Sequence, residues 1–234
     1  MARYTAPIEP DSGLCTKLLG CYLTLPGKNS ADTLMSSGNL ILHPTNPTAA
    51  PPVDAVTQRL VETGFAGVRQ QGEAHVYSTG ERFLQLITFL GCSPFVQMEP
   101  KEEGDLDYCH IRLLSPSSSP GLIFGKNTRP PRCPHCDKGL SDWISHLTDT
   151  TPATPWHCPS CDKPLNLMEL KWRQQGGCSR LFLVIPGIFP SEAVPLPELL
   201  NSLSGMGGEW SYFYAQEPQI LVGGMVEPLF QPLT

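Results

Sequence analysis

Beyond Arg180 this chain has no lysine and no arginine; its last 54 residues carry five glutamates and nothing basic. Long apolar runs are missing too. The longest unbroken one, residues 181–185 (LFLVI), is far short of the roughly 20 residues a membrane helix needs. The first thirty residues hold Glu9 and Asp11, and the apolar stretch 14–25 is interrupted by Lys17, Gly20 and Thr24. No secretory leader is therefore expected. Charge is sparse, with 16% of residues charged and a formal net charge of -6. That excludes a dedicated polyanion binder, which carries a much stronger basic footprint. Common catalytic signatures are lacking as well: there is no GxSxG, HExxH, phosphate-loop or dinucleotide pattern. No histidine has a glutamate two positions later, as a zinc deaminase requires.

What is present is a globular composition, 40% hydrophobic over 234 residues. Proline is abundant: 25 residues, about twice the usual share of roughly 5%. Short regular elements joined by proline-braced loops are expected. The nine cysteines are an odd number, and four of them stand in CxxC pairs. Together with the missing leader, this favours a reducing compartment and metal binding over a disulfide framework. The reading is a soluble, cytoplasmic protein with no membrane association. Charge is unevenly spread. Residues 126–180 carry eight basic and five acidic side chains, whereas residues 1–125 carry eight and twelve. The middle segment is a mildly basic island between acidic flanks.

Along the chain, residues 1–14 and 26–52 are expected to be loop or disordered, with one short strand at 40–42. Residues 53–63 read as a helix, with Pro52 suiting its first turn and Gly64 free to take the left-handed cap. A second helix is expected after the capping box of Ser78 and Glu81, running through Phe83, Leu86 and Leu90 to Gly91. Strands are expected at 65–68, 74–77, 95–98, 108–114, 122–124 and 181–185. A short helix at Pro197–Leu203 should precede an aromatic strand holding Trp210, Tyr212 and Tyr214, with a last strand at 220–222. The fold class is α+β. Residues 1–125 and 181–234 form a mixed body, and residues 126–180 are inserted into it as a separate module, because the C-terminal stretch is too short to bury a core alone.

The chemistry concentrates in that module. CPHCDKGL at 133–140 returns as CPSCDKPL at 158–165, six of eight positions alike, with 21 residues between Cys136 and Cys158. Each CxxC lets two thiolates hold one metal from a single tight turn, and two such turns complete a tetrahedron. Cys133, Cys136, Cys158 and Cys161 are the expected metal ligands. Four cysteines leave no open position for water or substrate, so one structural zinc ion, Zn2+, is expected. Iron in a four-thiolate shell remains open on ligand type alone. His135 and His157 adjoin ligands, yet neither is needed to complete the set.

Over residues 129–173 the pattern resembles a zinc ribbon, a small β-structure whose two cysteine turns face each other across one ion. Ribbons commonly have glycine after the second cysteine of each turn; here Asp137 and Asp162 stand there, residues that tolerate the left-handed conformation. Arg132, Lys138 and Lys163 are placed to offset a cluster of formal charge -2. Trp143, Trp156 and Trp172 are expected to shield the module, and Trp210, Tyr212 and Tyr214 to pack in the core. Cys92 reads as a packing residue just past a helix end, and Cys178, following Gly176 and Gly177, as a spare thiol near the ribbon base; Cys109 and His110 adjoin on a strand and so point to opposite faces, which argues against a catalytic pair.

Three functions fit these features. The first is a non-catalytic accessory or adaptor protein that presents the ribbon to another protein, through residues 141–156 and the basic strand around Lys171 and Arg173. The second is a nucleic-acid-associated ribbon protein, which the acidic flanks disfavour. The third is an enzyme whose active site lies in the body without a familiar motif.

Overall fold

The sequence GNLILHP at Gly38–Pro44 forms strand β1, and its alternation sets the layering of the whole chain. Leu40 and Leu42 face one way, Ile41 the other, and all three are fully buried. A strand apolar on both faces must be covered on both. The computed structural model describes residues 38–90, 96–102, 105–106, 108–115, 118–147 and 150–230. Over these residues the architecture is mostly antiparallel β with a few short helices, more strand-rich than the mixed α+β body expected from sequence.

β1 lies inside a six-stranded sheet. Across that sheet run β12 (Trp210–Gln216), β1, β10 (Phe182–Pro186), β5 (Ile111–Leu114), β3 (Val76–Thr79) and β2 (Ala66–Arg69). Its first face, with Leu40, Leu42, Leu183 and Ile185, packs against α1 (Val53–Glu62), α2 (Phe83–Leu86) and α3 (Pro197–Leu203). Val56 and Leu60 of α1, Phe83 and Leu86 of α2, and Leu199 and Leu203 of α3 supply the covering side chains.

The second face carries Ile41, Val184, Phe182, Phe213 and Ala215. It packs on a four-stranded sheet ordered β14 (Met225–Pro228), β13 (Gln219–Val222), β6 (Gly121–Phe124) and β9 (Gly176–Ser179). Ile123 and Phe230 fill that space, with Ile220 at its edge. Alternation turns Leu122, Phe124 and Leu221 of the same strands outward, onto the cysteine-bearing segment. The layers therefore run helices, large sheet, small sheet, cysteine-bearing segment. β9 belongs to residues 126–180, yet it pairs with β6 residue for residue from Gly121–Ser179 to Phe124–Gly176. Two glycines make that stacking close. A Cβ on Gly177 would lie 2.9 Å from His43 Nε2 and from Phe213 Cε1, and one on Gly176 would lie 3.0 Å from the Trp172 ring.

Several elements match expectation. α1 ends as its sequence implies: Gly64 takes φ +73°, its N–H donates to the Val61 carbonyl and the Phe65 N–H to that of Leu60. α3 begins at Pro197, and the aromatic strand is β12, with Trp210 and Tyr214 buried. The strand expected at 40–42 extends to seven residues.

The second expected helix is corrected. α2 is a single turn of four residues, and β4 (Ile87–Phe89) follows at once, paired with β11 (Ala193–Pro195). Ser78 cannot cap it, because Ser78 lies in β3 and its Oγ accepts the Val68 N–H. Ile87, Thr88 and Phe89 are β-branched or aromatic, and partner strand β11 satisfies their backbone. The expected strand at 108–114 forms a ladder only over Ile111–Leu114. Val96, Gln97 and Met98 are irregular, held by the Cys109 N–H donating to the Gln97 carbonyl at 2.7 Å. A further strand, β14, follows the one expected to be last; its four residues are exposed, and Pro228, lacking an N–H, blunts that edge. The expectations for residues 1–37, Gly91, Cys92 and Phe95 lie outside the described residues.

Candidate metal centre

The duplicated octapeptides fold into duplicated turns. The Asp137 N–H donates to the Cys133 carbonyl at 3.1 Å, and the Asp162 N–H to that of Cys158 at 2.8 Å. The Cys133 N–H donates to the Lys138 carbonyl at 2.9 Å, and the Cys158 N–H to that of Lys163 at 3.0 Å. Asp137 and Asp162 sit at φ +58° and +54°, the left-handed conformation expected where glycine is commoner. Each turn thus curls its backbone around its own pair of sulfurs. In the first, the His135 N–H also points at Cys133 Sγ, 3.4 Å away.

The two turns face each other and bring Cys133, Cys136, Cys158 and Cys161 together, all four sulfurs lying within 4.8 Å of one another. Cys133 Sγ is 3.9 Å from Cys161 Sγ, and Cys136 Sγ is 3.8 Å from Cys158 Sγ. A zinc-type tetrahedron with metal–sulfur bonds of about 2.3 Å has edges of about 3.8 Å, so the residues fit a four-thiolate ion. This quartet, with the paired strands β7 (Trp156–His157) and β8 (Pro164–Leu165) flanking its second turn, is consistent with a zinc-binding module. His135 and His157 are not in the quartet; His135 Nε2 lies 3.3 Å from the Pro164 carbonyl.

Four adjacent thiols cannot all ionise without a cation. Burial opposes ionisation of Cys133, yet the backbone N–H groups of Cys136 and His135 and the sulfurs of Cys158 and Cys136 bring it down to about 6. The Lys163 N–H favours ionised Cys161, but desolvation and hydrogen bonding among the other three sulfurs push it up to about 12. One proton leaves readily and the last is held. A dication resolves that conflict by binding four thiolates at once.

The charge around the site is arranged differently from the sequence expectation. Lys138 and Lys163 contribute their carbonyls to the turns, and both side chains are exposed. Arg132 and Lys171 take the ordered places, with Arg132 Nη1 at 2.7 Å and Lys171 Nζ at 3.1 Å from the Asp137 carboxylate. Lys171 first and Arg132 second hold that carboxyl below its usual range.

Apolar cover comes from both sides of the chain. Trp143 makes edge contacts with Trp172 at 5.2 Å and with Phe124 of the small sheet at 5.3 Å. Both tryptophans are buried, as the shielding role requires. Trp156 is half-buried and stacks on His146 at 3.8 Å. Ile144, in the 3-10 helix Trp143–Leu147 that also carries His146, is 61% exposed. Leu122, Phe124, Leu221 and Cys178 also belong to this core, a continuity the sequence signals only through the apolar alternation of β6 and β13.

Among the described residues, the two thiols outside the quartet are buried. Cys109 lies in the helix-side core and is pushed up to about 12 by burial. His110 has its Nδ1 2.8 Å from the Tyr108 carbonyl, and burial lowers it to about 4. Burial pushes Cys178 up as well. No helix of the described residues is long and apolar enough to cross a membrane. No family model, no curated protein and no solved structure matches the chain.

Proposed function

We propose that the four cysteines hold one structural zinc ion and that the chain is a non-catalytic accessory or adaptor protein, using its zinc ribbon as a platform for another protein. The observation that carries this reading is the closed shell. Four sulfurs at tetrahedral spacing leave no vertex for water or substrate, so the metal acts on stability. A reducing, cytoplasmic setting suits four free thiols.

The face offered to a partner is Ile144 with the stacked pair His146 and Trp156. Tryptophan is among the residues most enriched at interface centres, and a segment anchored at both ends by the cysteine turns loses little entropy when it docks. Trp143 is core and takes no part. Nucleic-acid association is the second reading, resting on Arg129 and Arg173. Asp137 already occupies Arg132 and Lys171, and the rest of the chain is acidic, which favours a protein partner.

Elemental analysis of the purified chain tests the metal: close to one zinc per chain is expected, and Cys133→Ser or Cys158→Ser should lose it. Iron, or no metal in protein never exposed to chelator, sinks the assignment. Affinity recovery of partners from source cells tests the role. Ile144→Glu should keep zinc and the melting temperature while abolishing recovery. Unchanged recovery puts the binding surface elsewhere, and recovery of nucleic acid that persists above about 0.2 M salt favours the second reading.

A further inference from the structure

Strand β12 is an outer strand of the large sheet, and its free edge is plugged from the metal module. The Tyr214 N–H donates to the Gln174 carbonyl at 3.2 Å, and the Tyr214 carbonyl accepts from Asn127 Nδ2 at 3.0 Å. The Gln216 N–H donates to Asn127 Oδ1 at 2.7 Å, and the Gln216 carbonyl accepts the Lys126 N–H at 2.8 Å. Both backbone groups of both residues are satisfied by a side-chain amide and two loop residues, in place of a strand. The plug sits close: a Cβ on Gly125 would lie 2.5 Å from the Gln216 carbonyl oxygen.

These residues are the two stems of the metal module. Thr128 Oγ1 donates to the Gln175 carbonyl, and the Arg129 N–H to Gln175 Oε1, tying one stem to the other. Arg173 Nη2 donates to the Pro130 carbonyl, and Arg132 and Lys171 exchange both backbone bonds. The next residue is Cys133. A continuous ladder thus runs from a metal ligand to the plug, and beyond the plug it meets the β6–β9 pairing at Phe124–Gly176.

We propose that the metal centre guards the β12 edge, and that loss of the metal opens it to antiparallel pairing with β12 of a second copy of this chain. The inference rests on the zinc reading above. The sequence WSYFYAQ has no charge and no proline, so it lacks the devices that keep a bare edge from pairing. It also suits its own copy. The outward-facing residues are 212, 214 and 216 by strand alternation, so a two-fold axis at Tyr214 sets Gln216 against Tyr212 of the partner subunit in both directions. In that register every residue opposed within the strand is uncharged, so no like charges meet.

The test uses the full chain and two routes to the same edge. Stripping the metal with a strong chelator, in the presence of a thiol reductant, should roughly double the mass seen by light scattering. Hydrogen exchange should show the amides of Tyr214 and Gln216 protected again in the dimer. Asn127→Ala keeps all four cysteines and should keep the zinc, yet it should shift the fully metallated chain toward the same dimer. A stripped chain that stays monomeric with both amides protected overturns the proposal. So does a metallated Asn127→Ala chain identical to the parent, or assembly into polydisperse aggregates in either arm. A chain that contains no metal from the start fails the zinc reading and removes the guard with it, whereas normal zinc with no dimer fails the guard alone.

Discussion

Arg132 and Lys171 face each other directly across an antiparallel bridge, two cations side by side, and both close on the carboxylate of Asp137. Like charges in that relation oppose pairing, so Asp137 is what allows this rung of the ladder. The same residue occupies the left-handed position of the first cysteine turn, which explains why aspartate can serve where glycine would be simpler.

Asp137→Asn keeps the left-handed tolerance and removes the charge. It should lower the urea midpoint at neutral pH, and the loss should shrink in molar salt. The carboxyl is depressed in the folded chain, so its contribution is present above its unfolded value of 3.8 and disappears as pH falls through the lower folded value. Parent and variant should therefore converge under strongly acid conditions. A midpoint difference that ignores both salt and pH would mean the carboxylate is incidental.

A second strained turn lies at the far end of the ladder. Arg173 and Gln174 take φ +53° and +59°, and the Gln175 N–H donates to the Trp172 carbonyl, a type I′ turn built without asparagine or glycine. Gln174→Gly should stabilise the chain by about 1 kcal/mol, because an L side chain in that conformation is strained. The backbone carbonyl that caps Tyr214 is kept. Denaturant unfolding reads this directly, and no gain would show the strain to be relieved elsewhere.

How much of this was readable beforehand differs by element. The grouping of the four cysteines was legible, since two CPxCDK repeats state both the residues and the turns. α1, α3 and β12 were legible because a cap, a starting proline and an alternating aromatic run each act locally. The turn of helix at Phe83 was misread: Ser78 has the spacing of a cap but is committed to β3, and only the pairing of β4 with β11, over 100 residues apart, decides it. The stacking of the metal module on the small sheet was hidden for the same reason. Leu122 and Leu221 read as ordinary strand residues, and nothing near them in sequence says that their outer face meets Trp143 and Leu140. Each such buried leucine contributes about 1.5–3 kcal/mol, so the omission concerns a large share of the module's stability.

The close approach at the glycine pair in β9 is testable. Gly177→Ala drives a methyl to 2.9 Å from the rings of His43 and Phe213, between two sheets that cannot separate independently. Overpacking of this kind costs about 1–3 kcal/mol. Gly205→Ala is the control, since a Cβ there meets nothing within 4 Å. Equal thermal unfolding of the two variants would show that the sheets have slack at this point.

His110 gives the last prediction, a pH dependence in a window apart from that of Asp137. The residue is 1% exposed, and Nδ1 sits 2.8 Å from the Tyr108 carbonyl and so is the donor. The buried Nε2 has no hydrogen-bond partner among the described residues to take a second proton's bond, which keeps the ring neutral. Burial, with Arg112 adding to it, lowers the folded value from 6.5 to about 4. The unfolded chain therefore binds a proton between those values that the folded chain refuses. Stability attributable to this ring is complete above pH 6.5 and falls as the pH drops toward 4, by at most about 1.4 kcal/mol per unit. His43 is lowered to about 4 by desolvation and should add a second slope of the same sign. Urea unfolding of the parent should therefore weaken steeply from pH 6.5 to 4, and His110→Phe should flatten part of that slope while lowering stability at pH 7 through the lost hydrogen bond. A parent whose stability is level across this window would show that His110 is protonated in the folded chain, against the geometry around it.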